Sequence, residues 1–168
     1  YKNKISNIKL TIVGTGEYEN YYKNIAKELK LDNYVNFTGY IPNKDLPKII
    51  SESNVVCLSS RSETFGIPLI EGMSCGLPCI STDCGGPSEI INDKTGLLVP
   101  IDDPKSYANA IIKIYKEYEK YDKKYIKKYV YEKYDKEIVC KNIIDDFNYI
   151  INKRNKYGKN KISNKKNI

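Results

Sequence analysis

The chain has 168 residues, 40% hydrophobic and 29% charged, which is enough for one globular domain with a sizeable core and too short for two. No uninterrupted apolar run approaches the roughly 18 residues of a membrane span, and Tyr1-Lys2-Asn3-Lys4 leads into no apolar signal segment. The absence of histidine removes the commonest general base and metal ligand, and the net charge of +7 sits wholly in the tail from Lys153 to Ile168, which leaves the body neutral.

The elements follow in chain order. Ile8-Lys9-Leu10-Thr11-Ile12-Val13 is a β-rich run stopped by Gly14-Thr15-Gly16. Residues 17–30 place Tyr18, Tyr21, Tyr22, Ile25, Ala26 and Leu29 at helical spacing. Tyr34-Val35-Asn36-Phe37 is a short strand closed by Thr38-Gly39, and Asn43 is positioned to cap a helix through Ile49 and Ile50. Val55-Val56-Cys57-Leu58 is a strand apolar on both faces. Residues 68–74 form a helix with Pro68 at its first position and Gly76 just past its end. Cys79-Ile80-Ser81 is a strand, Pro87–Ile91 a short helix and Gly96–Val99 a last strand. Asp103-Pro104 opens a helix to about Tyr118, and helices follow over roughly 122–132 and 135–152. There are no internal repeats.

Strands that alternate with helices and are nearly all apolar predict an α/β domain with a parallel sheet covered on both faces. Such sheets bind ligands in the loops at the carboxyl ends of their strands. Gly14, Gly16, Gly39, Gly66, Gly85 and Gly86 cluster in those loops, which suits close approach of a phosphate-bearing ligand, although glycine also simply ends strands. Tyr115, Tyr118, Tyr121, Tyr125 and Tyr129 make one stripe at spacings of three and four; a packing face is the first reading and a ring-stacking surface the second.

The lysine- and asparagine-rich end reads as a solvated, disordered tail, with contact to an acidic membrane surface as the other reading. No nucleic-acid partner is expected, because the body carries no basic excess. Five cysteines (57, 75, 79, 84 and 140) are an odd number, and several lie in apolar runs. They read as small buried hydrophobes in a reduced, cytoplasmic compartment, and Cys75, Cys79 and Cys84 match no standard zinc spacing.

Gly14-Thr15-Gly16 after a strand invites a dinucleotide-binding reading, but position 19 is Glu19 where a third glycine is needed, and the second strand has no acid near its end. A P-loop is absent as well. The most informative stretch runs from Ser59 to Gly72. Glu63 lies in the loop after a strand, and Gly66-Ile67-Pro68 turns into a helix whose first amides point outward, a ready site for a diphosphate. Glu71 lies about one turn into that helix. A carboxylate accepts two hydrogen bonds from vicinal hydroxyls. Two such acceptors beside a phosphate cradle describe a sugar nucleotide; the bland alternative makes Glu63 a cap and Glu71 an exposed helix residue.

Glu63-Thr64-Phe65-Gly66-Ile67-Pro68-Leu69-Ile70-Glu71 closely resembles the Glu-x7-Glu motif of the retaining glycosyltransferases of family 4, also called glycosyl transferases group 1, which have the GT-B fold. Leu10–Gly16, Val35–Ile41, Gly72–Pro78, Asp83–Ile90 and Thr95–Pro100 resemble the family in order and spacing, so that the likeness covers about 9–150. It implies a Rossmann-like, C-terminal, donor-binding half of a two-domain enzyme, here residues 1–152, followed by the basic tail 153–168. Glu63 would approach the hydroxyls of the transferred sugar and Glu71 would hold the nucleotide ribose. Backbone at Thr64, Phe65, Gly66 and Ile67 would hold sugar and phosphates, Tyr40-Ile41 would meet the base, and Gly14 and Gly16 would line the same cleft.

The resemblance further implies a UDP- or GDP-hexose as donor, retention at the anomeric carbon, no cofactor and no metal. An N-terminal domain would bind the glycan, lipid or protein acceptor. That domain and an Arg/Lys clamp on the diphosphate would precede Tyr1, so this stretch alone is expected to be inactive. Two other readings are a sugar-nucleotide epimerase of the same fold, against which the lack of histidine counts, and a non-catalytic nucleotide-sugar-binding module. The helix near 135–151 carries Ile138, Val139, Ile143, Ile144, Phe147, Ile150 and Ile151, more apolar surface than one small domain needs, and is expected to lean on the other half.

Overall fold

Strands and helices alternate along the residues that the computed structural model describes, 7–163 for the backbone and up to Arg154 for side chains. The order is β1 (Leu10–Val13), α1 (Glu19–Glu28), β2 (Val35–Gly39), α2 (Leu46–Ser51), β3 (Val56–Leu58), α3 (Ile67–Ser74), β4 (Cys79–Thr82), α4 (Pro87–Ile90), β5 (Gly96–Val99), α5 (Pro104–Lys116), α6 (Lys123–Tyr134) and α7 (Lys136–Ser163). A 3₁₀ turn at Tyr118–Lys120 follows α5.

All pairings between these strands are parallel, as the apolar runs separated by helices predict, but they fall into two sheets. One is β1-β2, with Leu10 opposite Val35 and Ile12 opposite Phe37. The other is β3-β4-β5, with Val56 opposite Cys79 and Ile80 opposite Leu97. In both, the carboxyl ends of the strands lie at one end, so the loops expected to bind ligand follow Val13, Gly39, Leu58 and Thr82.

The core belongs to the second sheet. All four residues of β4 are buried. On one face Leu69 and Met73 of α3 and Ile126 and Val130 of α6 pack with Cys79, Val56 and Leu58. On the other, Ala110 and Ile114 of α5 pack with Ile80 and Val99. Full burial of a side chain such as Ile80 or Leu69 stabilises the fold by about 1.5–3 kcal/mol. The closest helix-to-strand approach comes at Gly72, where a Cβ would stand 2.5 Å from Val56 Cγ2.

The helix ends show why these segments stop and start where they do. The Asp103 carboxylate accepts the amides of Lys105 at 3.1 Å and Ser106 at 3.0 Å, with Pro104 at the first position of α5. The Ser106 hydroxyl and amide hold the Asp103 carboxyl below its ordinary range. Asp122 caps α6 through Lys124 and Tyr125, and the Asp135 carboxylate accepts the amide of Glu137 at the head of α7.

Several boundaries differ from the sequence reading. The cap of α2 is Asp45, not Asn43, because the chain first turns at Pro42, whose carbonyl accepts the amides of Asp45 and Leu46. Helix α3 begins at Ile67, which moves Pro68 to the second position. Helix α5 ends at Lys116, with the 3₁₀ turn beyond it. Helix α7 runs on through residues 153–163, where a disordered tail was expected; lysine is a good helix former and no proline intervenes, while 164–168 lie outside the described residues.

Tyr118, Tyr121, Tyr125 and Tyr129 pack against the two core clusters, and Tyr115 is exposed. All five cysteines are free. Cys79 is buried as expected, whereas Cys57 is exposed and Cys140 lies on the open surface of α7. Among the described residues no helix is long and apolar enough to cross a membrane.

Candidate functional site

The Glu63–Glu71 segment leaves the carboxyl end of β3 and returns as α3. Gly66 makes the turn. Its φ of 103° is left-handed, and a Cβ there would lie 3.1 Å from Leu69 Cδ1. The bend aims the start of α3 outward while Leu69 and Met73 stay fully buried beneath it. Among the described residues the amides of Gly66 and Ile67 donate to no backbone carbonyl, so the start of the helix presents unpaired N–H groups at its positive end.

The loop ahead of this turn is fixed by main chain. The Glu63 amide donates to Cys84 O at 3.2 Å, and the Gly86 amide donates to Glu63 O at 2.8 Å. The half-buried Glu63 folds over the loop, its Oε1 accepting the Phe65 amide at 3.2 Å. The Phe65 ring, about half exposed, meets Tyr134 of α6 edge-on, with centroids 5.6 Å apart and planes at 82°. Arg61 Nε donates to Asp102 Oδ1 at 2.8 Å, which ties the loops after β3 and β5 across the open surface.

Glu71 differs from an ordinary surface carboxylate. It is half-buried, and among the described residues no hydrogen bond or ion pair reaches its carboxylate. Burial pushes its pKa up from the usual glutamate value. A partly desolvated carboxylate without a protein donor is an open acceptor, so the bland reading of Glu71 as a plain exposed helix residue does not fit.

The structure therefore gathers Glu63, Thr64, Phe65, Gly66, Ile67 and Glu71 on one strand-loop-helix unit. Gly14, Gly16, Tyr40 and Ile41 form a second group on the other sheet. There the Gly14 amide donates to Gly39 O at 2.9 Å, Gly16 O accepts the Glu19 amide, Tyr40 is open to solvent and Ile41 is half-buried. Both groups lie at carboxyl ends of parallel strands, and no hydrogen bond joins them among the described residues. Tyr134 and the close approach of Gly85-Gly86 to the Glu63 loop were not legible as site features. Two glycines at a strand's carboxyl end were the available sign of the second. Among the described residues no three carboxylate or thiol side chains gather to hold a metal ion.

The family described as Glycosyl transferases group 1 matches residues 1–133. This chain belongs to that family. Among its relatives is the N-acetyl-alpha-D-glucosaminyl L-malate synthase of Bacillus anthracis, 34% identical over 112 residues, a match that spans 66% of this chain and 29% of that enzyme. Among solved structures, Anabaena HepE in complex with UDP matches 88% of this chain and 42% of its own, with a TM-score of 0.77 and 21% identity. The sucrose-phosphate synthase of Thermosynechococcus elongatus matches 85% of this chain and 38% of its own, with a TM-score of 0.76 and 27% identity. These neighbours are GT-B glycosyltransferases, and the parallel α/β class read from the sequence is the class observed. The chain spans less than half the length of these relatives.

Proposed function

We propose that this glycosyltransferase stretch binds a nucleotide-sugar donor, a UDP- or GDP-hexose, and serves transfer of the hexose with retention at the anomeric carbon. The observation that carries the reading is Glu71, a half-buried carboxylate with a raised pKa and, among the described residues, no protein donor, on the helix that begins at the unpaired amides of Gly66 and Ile67. Vicinal ribose hydroxyls supply the two donors that such a carboxylate lacks. The diphosphate lies at the amides of Gly66 and Ile67, where the helix dipole favours negative charge. Glu63 meets the hexose hydroxyls, Thr64 and Phe65 border the sugar, Tyr40 and Ile41 face the base, and Gly14 and Gly16 leave room at the cleft wall.

In the transfer, the bond between the anomeric carbon and the diphosphate oxygen breaks as the acceptor oxygen bonds to that carbon on the same face. The acceptor's proton passes to the leaving diphosphate. Oriented amides that stabilise the developing charge carry most of the rate effect, and the chemistry needs no metal. A further domain supplies the acceptor site for a glycan, lipid or protein, and the basic end gives peripheral contact with an acidic cytoplasmic membrane face.

A saturation-transfer NMR screen of UDP-, GDP- and ADP-sugars against this chain tests the donor. Transfer to ribose and sugar protons of a UDP- or GDP-sugar, lost in Glu71→Ala, is expected. No transfer to any of the three overturns the reading.

A further inference from the structure

Strand β4 hands the chain into the loop Asp83–Gly86, directly beside the loop that carries Glu63. The two hydrogen bonds between them, Glu63 N–H to Cys84 O and Gly86 N–H to Glu63 O, make Glu63 and Gly85 a single parallel bridge beyond the strand ends. The approach leaves no room for side chains. A Cβ at Gly86 would stand 2.5 Å from Phe65 Cα and 2.6 Å from both Phe65 N and Phe65 O. One at Gly85 would stand 2.8 Å from Glu63 O, at a φ of +119° that L side chains rarely adopt. Gly86 itself has φ −45° and ψ −40°, helical values open to any residue, so what position 86 requires is the absence of a side chain. Ser88 then fixes the carbonyl of Gly85, to which its Oγ donates at 2.6 Å and its amide at 3.1 Å.

We infer that Gly85-Gly86 is a positioning pair that sets the depth of the Glu63 loop, a role that rests on the donor-site reading above. The obstructed atoms are main-chain atoms of Phe65 and Glu63, which cannot swing away as a side-chain tip could. A methyl group at 86 must move the loop at Glu63 and Phe65, and with it the Glu63 carboxylate. The pair touches no substrate. It acts through Glu63, which meets the sugar, and so it bears on discrimination between UDP-glucose and UDP more than on affinity for UDP alone.

The test compares wild type, Gly86→Ala, Ser88→Ala and a control, Gly76→Ala, by backbone amide NMR and by calorimetry with UDP and UDP-glucose. Gly76 is also tightly packed, 3.1 Å from Lys123 O to its would-be Cβ, but it lies at the far end of α3. Gly86→Ala is expected to displace the resonances of residues 63–67 while those of β5 stay, and to weaken UDP-glucose at least about tenfold more than UDP, the scale of one charge-assisted hydrogen bond. Gly76→Ala is expected to lower the melting temperature and leave the UDP-glucose to UDP ratio unchanged. Should Gly86→Ala not fold, Ser88→Ala decides, with the same resonances moving and about a threefold change in the ratio. A wild type that binds UDP-glucose, with a folded Gly86→Ala that keeps its ratio, or a folded Ser88→Ala that keeps it when Gly86→Ala is lost, overturns the inference alone. A wild type that binds no sugar nucleotide overturns the donor-site reading and this role with it.

Discussion

The β1-α1-β2 unit and the β3-β4-β5 half are written in the same local language and end in different environments. Each has apolar, β-branched strands that end in glycine-bearing loops at their carboxyl ends. In β4 all four residues are buried, whereas in β1 all four are exposed, with Leu10, Ile12 and Val13 37–47% accessible. The difference lies in the layers. The second sheet has α3 and α6 on one face and α5 on the other. The first buries only Ala26 of α1, while Tyr18, Tyr21, Tyr22 and Leu29 remain open. Strand formation is thus decided locally, by residue type and the following turn, and burial is decided by what the rest of the chain can lay over the strand.

The sharpest way to break this comparison is to remove equivalent side chains from both halves. Leu69→Ala or Ile80→Ala deletes fully buried atoms and is expected to lower the unfolding free energy measured in urea by about 2–5 kcal/mol, from lost transfer energy plus an unfilled cavity. Ile12→Ala removes a side chain that is already 37% exposed, and about 1 kcal/mol or less is expected. Equal losses at Ile80 and Ile12 would mean that β1 is covered as well as β4.

The open carboxylate separates the halves by function. Glu71→Ala is expected to weaken binding of a UDP- or GDP-sugar by about 1.5–3 kcal/mol, the scale of a hydrogen bond to a charged group. Equal affinity for wild type and variant in calorimetry refutes the ribose contact. Protonation should have a smaller effect in the same direction. Because burial raises the Glu71 pKa, the folded protein holds that proton up to a higher pH than the unfolded chain does, and stability attributable to this group declines as pH rises through that interval. Binding runs the other way. The ionised carboxylate is the better acceptor, so affinity for UDP-glucose should fall as pH drops, with a midpoint above the ordinary 4.5 of a glutamate. UDP-glucose suits the titration because its doubly esterified diphosphate does not titrate in this range. Glu71→Gln should abolish the midpoint, and a midpoint that persists assigns it to another group.

The parallel α/β class and the placement of Glu63 and Glu71 on a strand, loop and helix were legible because both rest on short-range patterns: apolar runs of four, glycines at their carboxyl ends, and a proline at a helix start. The division into two sheets was not, since Leu10–Val13 reads the same whether it is covered or bare. The shift of the start of α2 from Asn43 to Asp45 came from the backbone turn at Pro42, and since the Asp45 side chain makes no capping hydrogen bond, cap-residue pattern does not locate it. The contact of Gly86 with Phe65 joins residues 21 apart in sequence through strand pairing, and only the fold reveals it.

Helices α6 and α7 sharpen the comparison further. Helix α6 buries Ile126 and Val130 against the core and leaves its lysines outside, an amphipathic pattern answered by a partner surface. Helix α7 carries at least as many apolar residues, yet Val139, Ile143, Ile144, Phe147, Ile150 and Ile151 are all exposed, at 37–62% accessibility, and only Ile138 is half-buried. Its helicity over this stretch therefore rests on propensity and on the Asp135 cap, without the packing that gives most protein helices their stability. Two consequences follow at the small end of the energy scale. Phe147→Lys should change unfolding free energy by no more than about 0.5 kcal/mol, as for a surface site. It should also reduce self-association in sedimentation, because it places a charge within an exposed apolar patch. Amides of residues 143–150 should exchange with solvent faster than those of β4. If a strictly monomeric sample protects them as strongly as β4, the helix is housed against this chain and its apolar face is not open.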